Sequence, residues 1–136
     1  MAQAEIVYLL GNRGDIVPYV VADGSTIAKG DVMELDDNMV VTSHATNVNT
    51  PVVGIAAHEK VANDRAVMMS VITNCVAKLT ILTATGTTLI GTHVSMGNAA
   101  GKIDVSTSKD KEKGWDLGYA LETGTADQTC MVRIRK

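Results

Sequence analysis

Short runs of β-branched and apolar residues recur along the chain, and almost every gap between them holds a cluster that turns the backbone. Such runs, bounded by turn signals roughly 8–12 residues apart, describe a sandwich or barrel and leave little room for helices. The runs are Glu5–Leu10, Ile16–Ala22, Asp31–Leu35, Met39–Thr42, Pro51–Ala56, Ala66–Ile72, Val76–Leu82, Leu89–Met96, Lys102–Val105, Leu117–Glu122 and Thr129–Arg135. Between them stand Gly11-Asn12-Arg13-Gly14-Asp15, Asp23-Gly24-Ser25, Asp36-Asp37-Asn38, Asn63-Asp64, Gly97-Asn98 and Thr123-Gly124-Thr125. Their Gly, Asn and Asp residues tolerate positive φ or form Asx turns.

Two runs announce how they are buried. In Cys130-Met131-Val132-Arg133-Ile134-Arg135 the polar and long side chains alternate with small apolar ones, so Cys130, Val132 and Ile134 face a core. Val52-Val53-Gly54-Ile55-Ala56-Ala57 is apolar on both faces and carries a glycine, as a central strand does where another backbone or a bulge comes close. Ala56–Asp64 has helix-compatible residues but no apolar stripe of period 3.6, which predicts a loop or a single turn. The expected fold is therefore all-β with at most one short helix, a compact antiparallel sandwich or barrel. At 136 residues the chain makes one domain over 15–136, preceded by residues 1–14 as an N-terminal arm or edge strand.

Composition removes several functions. With 46% apolar and 20% charged residues the chain buries enough surface to fold. It has no apolar run long enough for a spanning helix and no basic, apolar and small-residue succession of an export signal, so neither a membrane nor export is expected. A formal charge of -3 argues against nucleic acid as a partner, because phosphate affinity needs concentrated positive charge. Aromatics at 3% argue against stacking platforms for sugars or single strands. Cys75 and Cys130 lie in apolar strand-like runs and are expected to be buried, unbridged thiols.

A search for reactive groups finds little to build on. Ser95 in His93-Val94-Ser95-Met96-Gly97 lacks the first glycine of a nucleophile elbow. His44, His58 and His93 stand singly, away from any second ligand at metal-binding spacing, and are expected at the surface or in turns. No glycine-rich phosphate loop precedes a helix. Asp36-Asp37 reads as part of a hairpin turn, and Arg133, Arg135 and Lys136 as a basic, solvated end. The expectation is no catalytic residue, no metal and no cofactor. Attention moves to Glu5, Ile6, Val7, Tyr8, Leu9 and Leu10, an apolar strand-prone segment followed by Gly11 and Gly14. It either joins the domain's own sheet or swings on the two glycines to pair with the edge of another chain.

The succession Ala22-Asp23-Gly24-Ser25-Thr26-Ile27-Ala28-Lys29-Gly30-Asp31-Val32-Met33-Glu34-Leu35, then Pro51–Ala56, Gly91-Thr92-His93-Val94 and Leu117-Gly118-Tyr119-Ala120-Leu121-Glu122 before a Val-Arg-Ile strand, resembles the capsid decoration, or cement, proteins of tailed double-stranded-DNA viruses, the lambda head-decoration kind among them. The resemblance spans most of residues 15–135. It implies a β-tulip-like domain, synthesised in the host cytoplasm, that binds the major capsid protein on the outer surface of the virion. There it would sit as a homotrimer and hold the shell against internal DNA pressure, without catalysis. Family members meet the capsid through an N-terminal arm, which by position falls on Ala4–Leu10; here that segment is more apolar and poorer in proline. Ser25–Val32 also resembles the opening of β-clip domains, which implies as the alternative a small ligand-binding module.

Overall fold

A computed structural model describes residues 3–11, 13–45, 50–82, 87–88, 90–105 and 115–136. The expected Lys109–Gly114 loop lies outside them, as do Asn12 of the first turn and Leu89 of an expected strand. None of the described residues is helical, and Ala57–Asp64 runs as bends and turns with one bridge between Ile27 and Lys60.

Each of the eleven expected runs contains a strand. Five of these close a barrel in the order β2 (Ile16–Val21), β4 (Val40–Ser43), β3 (Val32–Asp37), β5 (Val52–Ala56) and β6 (Met68–Ile72), with β6 returning to β2. The others are β1 (Glu5–Leu9), β7 (Asn74–Ile81), β9 (His93–Met96), β10 (Lys102–Val105), β11 (Asp116–Ala120) and β13 (Thr129–Arg135). β7 pairs along one side with β13 and shares its other side between β1 and β10. The path β7-β10-β9-β11-β13 therefore also closes on itself, and β1 extends it as a flap. Two-residue strands β8 (Thr87–Thr88) and β12 (Gly124–Thr125) pair beside it. Thr123-Gly124-Thr125, expected as a turn, thus contributes a short strand.

The pairing is mostly antiparallel, with two exceptions that close the rings. β2 runs parallel to β4 over two residue pairs, and β10 runs parallel to β7 over two. Such short parallel contacts leave no mark on hydrophobic periodicity. The β3–β4 hairpin also turns later than expected. Asp37 still pairs with Val40, and the reversal is made by Asn38 and Met39, the latter at φ +56.

Each ring has its own apolar core, and the barrel strands contribute to both. Val21, Ile27, Met33, Val41, Val53 and Met69 fill the barrel. Leu79, Ile81, Val94, Ile103, Leu117 and Ile134 fill the second ring, and that core also takes in Val32, Val52, Ile55 and Ile72 from barrel strands. Each such fully buried side chain contributes about 1.5–3 kcal/mol. β5 is buried from end to end because it serves both cores, turned by a bulge opposite Met33 and Glu34. Gly54 is the residue that permits this. Its φ is +146, and a Cβ there would fall 2.2 Å from the Ile72 carbonyl oxygen, so the glycine read from the sequence marks a true close approach of two backbones. β13 alternates as expected, with Cys130, Val132 and Ile134 fully buried.

Candidate functional site

β1, the apolar segment near the N-terminus, is fixed at both ends by backbone hydrogen bonds. The Ala4 N–H donates to Gly30 O at 2.8 Å as the strand begins, and the Leu10 N–H donates to Asn74 O at 3.2 Å as it ends. In between, Glu5, Ile6, Tyr8 and Leu9 stand opposite Lys78, Ala77, Val76 and Cys75, with Val7 taken up by a bulge. In this structure Glu5–Leu9 is thus an edge strand of the chain's own sheet. Ile6 packs on the buried core. Tyr8 and Leu9 remain 63% and 50% exposed, large apolar groups left in solvent on an edge.

Gly11 and Gly14, expected as a hinge, form a tied corner here. Gly11, Arg13, Gly14 and Asp15 all have φ between +49 and +84. The Gly14 N–H donates to Leu10 O, and Gly14 O accepts from the N–H groups of both Thr73 and Asn74. Thr73 Oγ1 donates to Asp15 O at 2.6 Å, and Asn74 Nδ2 donates to Asp15 Oδ2 at 2.7 Å. A Cβ on Gly14 would meet Ile72 Cγ2 at 2.8 Å. The glycines therefore let β1 drop directly onto the β6–β7 corner. Positive φ at the non-glycine residues Arg13 and Asp15 is strain held by that network.

Between β1 and the barrel wall lies a cleft of about 430 Å³, floored by Ile6, Leu9, Ile16, Ala57 and Ile72 and rimmed by Arg13 and Lys29. A second cleft shares Arg13 and Ile16 and is lined further by Asp15, Val17 and Thr73. The apolar surface does not stop there. Ile16, Pro18 and Val20 all point outward along β2, and Val20 stands opposite exposed Met68 on β6. On the outer face of the second ring, register aligns Tyr8, Val76, Arg133, Tyr119 and His93 across five strands. There His93 Nδ1 lies 3.2 Å from Asp116 Oδ2, and its ring centroid lies 6.2 Å from that of Tyr119.

The remaining titratable groups serve the fold. His44, expected at the surface or in a turn, is wholly buried. Its Nδ1 lies 3.1 Å from Glu34 Oε2 and its Nε2 lies 2.9 Å from Gly97 O, so it joins the barrel to the β9–β10 turn of the second ring. Nε2 faces a carbonyl, which can only accept, so that nitrogen carries a hydrogen. Ser43 donates to Asp31 instead, at 2.9 Å. Because both nitrogens of His44 are taken, no serine–histidine pair forms there. A signal for this pair existed in the sequence, as Glu34 interrupts the apolar run Val32-Met33-Glu34-Leu35. His58 accepts the Ser70 N–H through Nε2.

Cys75 and Cys130 are free and buried, and burial pushes the Cys75 thiol up to about 11. Burial is also the largest effect at Cys130 and raises it; its Sγ donates to Glu122 O at 3.2 Å. Lys136, expected at a solvated end, is tied down by its N–H to Thr73 O and its Nζ to Asp116 O. Among the described residues no three His, Cys, Asp or Glu side chains come together as a metal site. The Ser25–Val32 segment, the basis of the ligand-module alternative, leads into β3, and only its Lys29 reaches the cleft. What this surface offers is apolar contact area, an open strand edge and two cations, the means of holding a macromolecule.

No family model matches the chain, and no curated protein sequence matches it significantly. A solved structure does share its fold: the N-terminal base of the head fiber protein gp8.5 of bacteriophage phi29, 12% identical, superposes with a TM-score of 0.52 over 88% of this chain and 93% of that one.

Proposed function

We propose that this chain is a structural protein of a bacteriophage head, non-enzymatic, seated on the outer surface of the assembled shell, where it stabilises the shell against the packaged DNA. The observation that carries the reading is the shared fold with a phage head-fiber base over nearly the whole of both chains. The sequence resemblance to decoration proteins points the same way, and so does the surface. An exposed apolar strand edge at β1, continued by the outward face of β2, suits docking to a large protein partner. The partner in this reading is the major capsid protein, with β1 (Glu5 to Leu9), Leu10 and the Gly11–Gly14 corner at the contact. Three copies around a local symmetry axis would add weak contacts into firm attachment.

The test is made on purified phage heads. Gold-labelled antibody against the chain should decorate intact heads, and protease should remove the chain without opening them. Heads stripped of it should release DNA at lower temperature than heads to which it has been added back. A chain absent from heads, or protected from protease until they are broken, would sink the proposal.

A further inference from the structure

The cleft beside β1 has an apolar floor and a cationic rim that nothing in the described chain answers. Lys29 stands where the chain enters β1, next to the Gly30 carbonyl that receives the Ala4 N–H. Arg13 stands in the corner where the chain leaves the strand. Both are exposed, and among the described residues neither has an ion-pair or hydrogen-bond partner. The nearby acid, Asp15, is committed to the corner. Its carboxylate folds over Gly11, where a Cβ would come within 2.3 Å of Oδ2, and accepts from Asn74. Among the described strands β1 itself pairs only with β7.

We infer that this cleft receives an extended segment of a partner protein that carries apolar side chains at its centre and a carboxylate near each end. The dimensions select an extended chain. The two cations lie beside opposite ends of a strand of five residues, about 17 Å long at about 3.3 Å per residue, a length that an extended segment of about six residues matches. Side chains two apart on such a segment share one face and reach the floor made by Ile6, Leu9, Ile16 and Ile72. Its backbone adds to the open side of β1, and its terminal carboxylates meet Lys29 and Arg13. The apolar floor supplies contact area, and the cations set the partner's charge and favour one placement along the strand. The inference rests on the proposed function only for the source of the segment, which would then be a head protein.

The probes are an acetylated, amidated peptide Glu-Val-Thr-Val-Thr-Glu and its counterpart with lysine in place of both glutamates, titrated into the full isotope-labelled chain and followed by NMR. The acidic peptide should shift resonances of β1, Arg13, Ile16 and Lys29, and added salt should weaken it. The lysine peptide, and the acidic peptide with Arg13→Glu/Lys29→Glu, should bind about tenfold more weakly. Lys29→Glu alone, away from the strained corner, should give a smaller loss in the same direction with an unchanged melting curve. Shifts confined to the Tyr119–His93 face, equal binding of both peptides, or indifference to Lys29→Glu would overturn the inference. So would self-association, measured by sedimentation, that Lys29→Glu abolishes while no peptide binds, since the occupant would then be a second copy. Heads that bind wild type and Lys29→Glu alike would overturn the inference and leave the proposed function standing. Peptide binding as described, with no binding to heads, would do the reverse.

Discussion

Lys60 is the most deeply buried cation among the described residues, its side chain 1% exposed, and its surroundings explain how it stays charged. Burial acts to lower the ammonium's pKa, but the hydrogen bonds and charges of Asp64 and Asp23 outweigh it and hold the group above its ordinary value. Nζ donates to Asp64 Oδ1 at 2.7 Å and to the carbonyls of Asp23 and Val61 at 2.9 and 3.2 Å. Asp64 is held below the ordinary carboxylate value, first by that bond to Lys60 and then by the Ala66 N–H. A lowered acid stabilises the fold above its unfolded pKa and loses that contribution as pH falls through the folded one; a raised base stabilises below its unfolded pKa and loses it as pH rises through the folded one. This node should therefore support the fold between about pH 4 and pH 10 and fail at both limits. Melting curves across pH should show Asp64→Asn flattening the acid limb, and an unchanged acid limb would count against the pairing.

The thiols give a second residue-scale expectation. With Cys75 at about 11 and Cys130 also raised, neither is a thiolate near neutral pH. Iodoacetamide at pH 8 should leave both unmodified in the folded chain and alkylate both in urea, counted by mass. Sequence context was enough to find these two, because cysteines in apolar strand runs are usually buried. It was not enough for His44, whose partners Glu34 and Gly97 lie 10 and 53 residues away and meet it only in the folded chain.

Among the elements, β1 carries the sharpest tests. Ile6 packs on the core while Tyr8 stands largely in solvent, so Ile6→Ala should cost about 1–2 kcal/mol in urea unfolding and Tyr8→Ser less than about 0.5. Equal costs would mean that β1 is not seated on β7 in solution. β5 is the other critical element. Gly54→Ala places a methyl against the Ile72 carbonyl at positive φ and should cost about 3 kcal/mol or more, seen as loss of soluble protein or a lowered unfolding midpoint.

The strands themselves were legible because alternation and turn residues are local properties. Cys130 to Arg135 show their facing in six letters, and the Val52–Ala56 run shows its double burial. Partner choice was not legible. Nothing in Val20-Val21 says that they lie parallel to Val40-Val41, since closure of the ring, and not propensity, puts them there. The cleft was half legible. Ile6, Leu9, Gly11 and Gly14 were singled out in sequence, but Arg13 was read only as part of a turn and Lys29 only as part of the Ser25–Val32 resemblance. Only the fold brings their turns to opposite ends of one strand.

At the scale of the whole molecule, two rings are joined by the barrel-strand side chains that complete the second core and by the Glu34–His44–Gly97 bridge. Removing one member of a buried, hydrogen-bonded pair strands the other, so His44→Ala or Glu34→Ala should cost about 3–5 kcal/mol. Because Val32, Val52, Ile55 and Ile72 complete the second core from barrel strands, the rings should unfold together. Trp115 fluorescence, reporting the second ring, and far-UV circular dichroism, reporting all strands, should trace one urea transition; two separated midpoints would show independent rings.

Closure also limits how many neighbours the chain can hold through its backbone. Among the described strands longer than two residues, β1 alone has a single partner. Among these longer described strands, one vacant side gives a valence of one. A strand bound there saturates it, and two molecules joined there leave nothing of β1 for a third, so molecules crowded side by side at high local density cannot grow a fibre through β1. Such a molecule works as a terminal fitting, able to clip onto a surface once and then stop.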